Sequence, residues 1–233
     1  MNYLAIDAST EACSVALNYQ GNVYQRYDLC PQSHSLMLLP MVDEVLSEAG
    51  VKLNQLDGLL FGRGPGSFTG VRIGIGVAQG LAFASDLKLA GISTLQTMAQ
   101  LAYESFGQTQ VLAAIDARMG EVYCGLYRLD EHKLMQPVLN ETVIAPQLVN
   151  DYVSDAINDN QCFGVGSAWQ AYPEQLANIS SITVNKEVEF PKAVAMLNLG
   201  KHQFAVGATV NAEDAQPVYV RDTVSWKKLP GRD

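Results

Sequence analysis

The chain has 233 residues, 48% of them hydrophobic and 17% charged, and a formal net charge of −9. That composition excludes a disordered chain, and no apolar run reaches the ~18 residues a membrane span requires. The acidic balance disfavours autonomous binding to phosphate backbones.

In chain order, alternating apolar residues predict strands over 3–8, 12–19 and 23–28, with Gln20-Gly21-Asn22 as the second turn. Pro31-Gln-Ser-His opens a helix over about 33–49, which Gly50 closes. A short apolar strand over 56–61 runs into Gly62-Arg-Gly-Pro-Gly-Ser-Phe-Thr-Gly70. A helix over 69–84, a strand over 87–92 and a helix over 94–106 follow. The second half predicts strands over 110–116, 121–129 and 137–144, a helix over 146–156 and a strand over 161–165. Helices over 168–177 and 190–206 complete it.

The opening Asn2-Tyr-Leu-Ala-Ile-Asp-Ala-Ser returns as Val111-Leu-Ala-Ala-Ile-Asp-Ala-Arg118. Without gaps, Ala5/Ala114, Ile6/Ile115, Asp7/Asp116, Ala8/Ala117 and Leu17/Leu126 coincide at an offset of 109. A repeated strand–turn–strand module implies two halves on one plan, 1–108 and 109–233, with a cleft between them. The alternative is two unrelated hairpins.

Asp7 and Asp116 end strands at turns, where a carboxylate could orient a metal-bound phosphate or a water. Both turns lack the tandem glycines that wrap a phosphate in backbone N–H groups, so a structural or vestigial Asp7 stands beside a ligating one. The glycine-rich block precedes a helix N-terminus, where an anion is favoured. It is not a P-loop, because no Gly-Lys-Ser/Thr follows, and Ser67 or Thr69 serves as a helix cap. Arg63 and Arg72 keep an anion role open.

His34, His132 and His202 are far apart, and none is read as having a second ligand three or four positions away. Neither a metal centre nor a Ser-His-Asp set is therefore expected; His34 reads as an ordinary polar residue at the helix entry. Cys13, Cys30, Cys124 and Cys162 form no CxxC pair and read as reduced, buried thiols of a cytoplasmic protein, with zinc not expected. The N-terminus shows no basic, cleavable leader.

The second helix is apolar nearly all round: after Thr69 only Arg72 and Gln79 are polar. Gly70, Gly74 and Ala78 lie four apart, as do Gly76, Gly80 and Ala84, giving two faces open to close approach. In the first helix, Leu36 to Met41 contains no polar residue. One sheet covers one face of each helix, and a partner subunit is the economical cover for the rest. The alternative is the second half of the same chain. The partner surface expected is Leu36, Leu39, Met41, Val71, Gly74, Ile75, Ala78, Leu81 and Ala82. Arg221, Lys227, Lys228 and Arg232 form a basic tail near Trp226, either solvated or touching RNA or an acidic partner.

Leu4-Ala-Ile-Asp-Ala-Ser-Thr-Glu-Ala-Cys, Gly62-Arg-Gly-Pro-Gly-Ser-Phe-Thr-Gly-Val-Arg, Ala114-Ile-Asp-Ala-Arg-Met-Gly-Glu-Val-Tyr and Pro217-Val-Tyr-Val-Arg221 together resemble the TsaB (YeaZ) family along the whole chain. The resemblance implies an α/β fold, a duplicated ribonuclease-H-like (actin-like ATPase) architecture. Its two subdomains would each have a mixed sheet flanked by helices, the second degenerate. It implies a non-catalytic subunit with no cofactor and no metal. Such a subunit pairs through its first two helices with a TsaD-like catalytic subunit, joined by a TsaE-like ATPase, for threonylcarbamoylation of the adenosine beside the tRNA anticodon. Self-pairing as a homodimer is also implied, and contact with tRNA only through the complex. The catalytic relative's His-x-x-x-His motif is absent. Asp7, Ser9, Thr10, Asp116 and Arg118 would form a vestigial nucleotide site. A phosphotransferase or ATPase acting through Asp7 and Asp116 is the rival reading, and a peptidase the weakest.

Overall fold

Four apolar residues in a row and a closing aspartate, all five buried, make β1 (Tyr3–Asp7) the centre of a sheet covered on both faces. It pairs antiparallel with β2 (Ala12–Tyr19), which pairs antiparallel with the largely exposed edge strand β3 (Asn22–Leu29). After α1 (His34–Ala49), β4 (Gly58–Gly62) returns parallel to β1. After α2 (Phe68–Ser85), β5 (Leu89–Ile92) joins β4 in parallel. The computed structural model describes residues 1–157, 161–177, 179 and 182–221.

The chain then crosses through α3 (Thr94–Phe106) into a second sheet. There β6 (Gln110–Arg118) and β7 (Glu121–Leu129) form the hairpin. β8 (Met135–Pro137) and β9 (Thr142–Ile144) both pair with β7, and β10 (Cys162–Val165) and β11 (Ile182–Val184) extend the other side in parallel. The first sheet runs β3-β2-β1-β4-β5, and the second, read from its far edge, β8-β7-β6-β10-β11. The same strand order occurs twice, which is the duplicated ribonuclease-H-like plan. The gapless repeat is sound on the first strands only. Asp7 faces Ser14 across six intervening residues, but Asp116 faces Val122 across five. The second turn is one residue shorter, so Leu17 and Leu126 are not equivalent: Leu17 pairs Leu4, while Leu126 pairs Leu112.

Both α1 and α2 cover one face of the first sheet, in a core that includes Leu4, Ile6, Val15, Leu38, Val45, Val71, Ile75 and Ala78. The opposite face is covered from the other end of the chain by α7 (Met196–Ala205), through Met196, Leu197 and Leu199 against Tyr3, Ala5, Leu60 and Ile92. Conversely, α3 packs on the second sheet, with Leu95, Met98 and Ala102 among Val111, Ala113 and Tyr127. A division at 108/109 therefore separates the sheets and leaves each with a layer supplied by the other half.

The second half departs most from expectation, and prolines explain much of it. The helix expected over 168–177 is two single turns, α5 (Ala168–Ala171) and α6 (Pro173–Leu176). Pro173 has no N–H to donate, and Tyr172 before it sits at φ −133°, ψ 53°, outside the helical region. The helix expected from 190 begins with a 3₁₀ turn at Ala193–Ala195, after the extended Lys192. The helix expected over 146–156 shortens to a 3₁₀ turn, Pro146–Leu148, and α4 (Val149–Val153). The single strand expected over 137–144 is β8 and β9, and β11 was not expected.

Candidate functional site

The two repeated aspartates build the same local turn. Asp7 Oδ1 accepts from the Ser9 N–H at 2.9 Å, and Asp116 Oδ1 accepts from the Arg118 N–H at 2.8 Å. Each is an Asx turn that holds its own hairpin. Asp7 Oδ1 also takes the Ser9 hydroxyl at 2.8 Å, and Thr94 Oγ1 donates to Ser9 Oγ at 2.9 Å. Asp7 Oδ2 has no hydrogen-bond partner among the described residues. Burial pushes the Asp7 carboxyl up to about 6, against the lowering effect of the Ser9 bonds and of His34 nearby. Asp116 is wetter and fully engaged: Tyr172 donates to Oδ1 at 2.9 Å, and Arg118 Nη1 to Oδ2 at 2.9 Å.

The glycine-rich block is shaped by close approach to the first hairpin. A Cβ on Gly62 would overlap Asp7 Oδ2, one on Gly66 the Ser9 carbonyl oxygen, and one on Gly70 the Ala8 carbonyl oxygen. The Ser67 N–H donates to Ser9 O at 2.7 Å, and the Ser67 side chain caps the helix by accepting from the Gly70 N–H. One of those amides is therefore spent on the hairpin and the other on the cap, rather than offered to an anion. Ser67 is the cap.

Between the halves lies a cleft of about 490 Å³, within the range of small-molecule sites. Ser9, Thr10, Asp116 and Arg118 line it together, whereas Asp7 is buried behind it. The far wall is the C-terminal segment. The Tyr219 and Phe68 rings are tilted against each other with centroids 6.3 Å apart, the Arg72 guanidinium lies 3.3 Å from the Phe68 ring centroid and 5.2 Å from that of Tyr219, and Val218 N–H donates to Arg63 O. Arg221 then reaches Ala117 O and Glu121 on the second hairpin. Gln79 donates to Ala215 O at 3.1 Å. Arg72 and Gln79 of α2 thus both hold the segment 215–219, a use that their spacing alone does not reveal. Lys227, Lys228, Arg232 and Trp226 of the basic tail lie outside the described residues.

The expected partner surface needs correction. Leu36 and Leu39 are exposed and Leu81 half-buried, but Met41, Val71, Gly74, Ile75, Ala78 and Ala82 are buried in the chain's own core. The i, i+4 rows containing Gly70, Gly74 and Ala78 face the sheet, with Ala8 3.7 Å from a Cβ on Gly74. The outward row is the other one: Gly76 and Gly80 have open space above them, and Phe83 is 82% exposed. Pro40 on α1 belongs to the same outward side as Leu36 and Leu39. Composition showed that α2 is apolar all round, but not which row turned inward.

The histidines also depart from expectation. His132 and His202 stack with centroids 6.3 Å apart. His34 is buried, and its Nε2 lies 2.7 Å from the Thr10 carbonyl oxygen, which can only accept, so Nε2 carries the proton. That bond is to a carbonyl, not to the hydroxyl or thiol a peptidase would need to activate. Among the described residues, one set of donors converges: Cys13, Cys30 and His34, their ligand atoms within 4.8 Å of one another. The expectation of no neighbouring ligand passes over Cys30, which stands four positions before His34.

No helix of the described residues is long and apolar enough to cross a membrane. A family model described as TsaD, tRNA N6-adenosine threonylcarbamoyltransferase, matches residues 28–216. The chain is 47% identical over 233 residues to the tRNA threonylcarbamoyladenosine biosynthesis protein TsaB of Escherichia coli K12, covering all of both chains. It is 43% identical to the protein of the same name from Haemophilus influenzae, covering all of this chain and 99% of that one. Among solved structures it superposes on YeaZ from Pseudomonas aeruginosa with a TM-score of 0.83 at 42% identity, over 94% of this chain and 99% of the other.

Proposed function

Since the chain belongs to the TsaB family of tRNA threonylcarbamoyladenosine biosynthesis proteins, we propose that it serves that pathway as a cytoplasmic, non-catalytic subunit. It pairs with a TsaD-like catalytic subunit through the outward face of α1 and α2, and a TsaE-like ATPase joins the pair. When the catalytic subunit is absent, the same face closes a homodimer. Contact with tRNA comes through the complex, in keeping with the net charge of −9. The observation that carries this reading is the exposure of apolar residues on the outward sides of α1 and α2: Leu36, Leu39, Pro40, Gly76, Gly80 and Phe83. The described residues leave them exposed even though Gln79 of α2 is bonded to Ala215 of the C-terminal segment. Such a face on a soluble subunit marks an interface.

The test is Gly80→Trp, at an outward position where an added Cβ meets nothing within 4 Å. Co-elution with a purified TsaD-like subunit is expected to disappear while the thermal unfolding of the isolated chain stays at or above wild type. Undiminished co-elution would remove the surface assignment.

One observation favours a second reading, nucleotide binding: the cleft has the volume of a ligand site and brings Ser9, Thr10, Asp116 and Arg118 to one wall. Against it, Asp7 is buried behind the cleft and Asp116 is engaged by its own turn, Tyr172 and Arg118. Calorimetry with ATP and magnesium on the isolated chain separates the two: micromolar binding abolished by Arg118→Ala would support the nucleotide reading.

A further inference from the structure

We propose that Cys13, Cys30 and His34 form a site for a thiophilic d10 metal ion, zinc(II) being the probe. The three residues come from three elements: Cys13 from β2, Cys30 from the residue after β3, and His34 from the first turn of α1. Folding alone brings them together, since 17 positions separate the two cysteines in sequence.

Each member is fixed by the backbone around it. The Cys30 N–H donates to Glu11 O at 3.0 Å, continuing the β2–β3 ladder past its last strand pair, and the Ser33 N–H donates back to Cys30 O at 2.9 Å. Cys13 faces Asp28 in that ladder, two residues before Cys30, so the two cysteines are diagonal neighbours on one face of the sheet. The Cys13 thiol donates to the His34 carbonyl oxygen at 4.0 Å, which ties the strand to the first turn of α1. The His34 ring is held by its bond to Thr10 O. A metal-bound imidazole ordinarily donates its second N–H to a backbone carbonyl, which fixes the tautomer and leaves the other nitrogen free to ligate. The Thr10 bond supplies that arrangement without a metal.

The dimensions fit. Zinc holds sulfur at about 2.3 Å and imidazole nitrogen at about 2.0 Å, so donors around a tetrahedral ion lie roughly 3.5–3.8 Å apart. Donor atoms already within 4.8 Å of one another need about 1 Å of side-chain adjustment at most. Two sulfurs and one nitrogen favour zinc or copper(I) over magnesium or calcium, which take oxygen. Three protein donors leave a fourth position for a water.

On binding, each thiol gives its proton to solvent as its sulfur–zinc bond forms. Two thiolates then neutralise the ion's two charges, so the buried site carries no net charge. Asp7 lies close enough to act electrostatically on both Cys13 and His34, which adds to the attraction for a cation. Entry is from the cleft, whose wall includes His34, Thr10, Pro31 and Gln32.

The experiment uses the full, reduced chain. Zinc titration against a competing chelator, with metal counted by mass spectrometry, is expected to give one ion per chain. Cobalt(II) in its place is expected to show a thiolate-to-metal charge-transfer band. Cys13→Ser, Cys30→Ser and His34→Gln should each weaken binding at least tenfold, while Cys162→Ser leaves it unchanged. In case a variant fails to fold, thiol labelling of the wild-type chain provides an independent readout: bound zinc should protect Cys13 and Cys30 and leave Cys124 and Cys162 as they were. Binding unaltered by the three substitutions, cobalt spectra without the band, or a Cys13–Cys30 disulfide forming in place of metal uptake would each overturn the proposal.

Discussion

Arg118 Nη2 lies 2.7 Å from Glu11 Oε1 while its Nη1 lies 2.9 Å from Asp116 Oδ2, so one guanidinium joins the turn of the first hairpin to the turn of its repeat. This is a direct side-chain tie across the cleft. Because Arg118 is 72% exposed, Arg118→Ala is expected to cost less than about 1 kcal/mol of global stability. Its effect should instead be local: faster amide exchange at the two turns, residues 8–11 and 117–121, with the sheet interiors unchanged. A loss of several degrees in melting temperature with no change in exchange at the turns would contradict this.

Asp7 should make the fold pH-dependent. Its carboxyl is pushed from 3.8 up to about 6 by burial. Below the lower value both folded and unfolded chains hold the proton, and the group costs nothing. Between the two, the unfolded chain releases the proton and the folded one keeps it, so stability is lost as pH rises and levels off above the folded value. Asp7→Asn should therefore be more stable than wild type at pH 7.5 by on the order of 1–3 kcal/mol, the difference closing towards pH 4. Urea unfolding at several pH values reads it directly, and a gap independent of pH would refute the linkage.

The close-packed glycines Gly62, Gly66 and Gly70 and the outward glycines of α2, Gly76 and Gly80, should behave oppositely. A methyl on Gly66 would overlap the Ser9 carbonyl, whereas one on Gly76 meets nothing. Gly66→Ala is expected to lose upwards of about 3 kcal/mol or to fail to fold, and Gly76→Ala to gain about 0.5–1 kcal/mol from helix propensity. Chemical denaturation of the pair checks both signs in one experiment.

The outward face predicts its own solution behaviour. Leu36→Asp and Phe83→Asp place charges at positions that are 74% and 82% exposed, so stability should hold within about 0.5 kcal/mol. Sedimentation of the isolated chain should shift to monomer at concentrations where wild type self-associates. Met41→Asp, on the buried side of α1, should unfold the chain instead.

How far the sequence foretold these features depended on whether the deciding contacts were local. The strand–turn–strand repeat was legible because β1 and β6 are central strands whose apolar runs end at an aspartate, and α3 because Ser93 and Gly107 cap it at either end. The position of Arg72 and Gln79 on one stripe of α2 was also visible, but their partners, Tyr219 and Ala215, lie more than a hundred positions away. The inward row of α2 could not be told from the outward one, since glycine and alanine occupy both. Asp7 and Asp116 look alike in sequence and share a turn, yet one is buried behind the cleft and the other lines it. Cys13, Cys30 and His34 form no compact motif, and only the β2–β3 register and the turn into α1 bring them together.

The exchange of α3 and α7 between the two sheets has a consequence for how the molecule can be taken apart. Severed in the loop between Phe106 and Gln110, the polypeptide would yield one piece whose sheet is bare on the side Met196 and Leu199 had sheltered. The other piece would lack the Leu95–Met98 ridge. Neither piece would be a self-sufficient folding unit; co-expressed, they should reconstitute one another, and each alone should collect in the insoluble fraction.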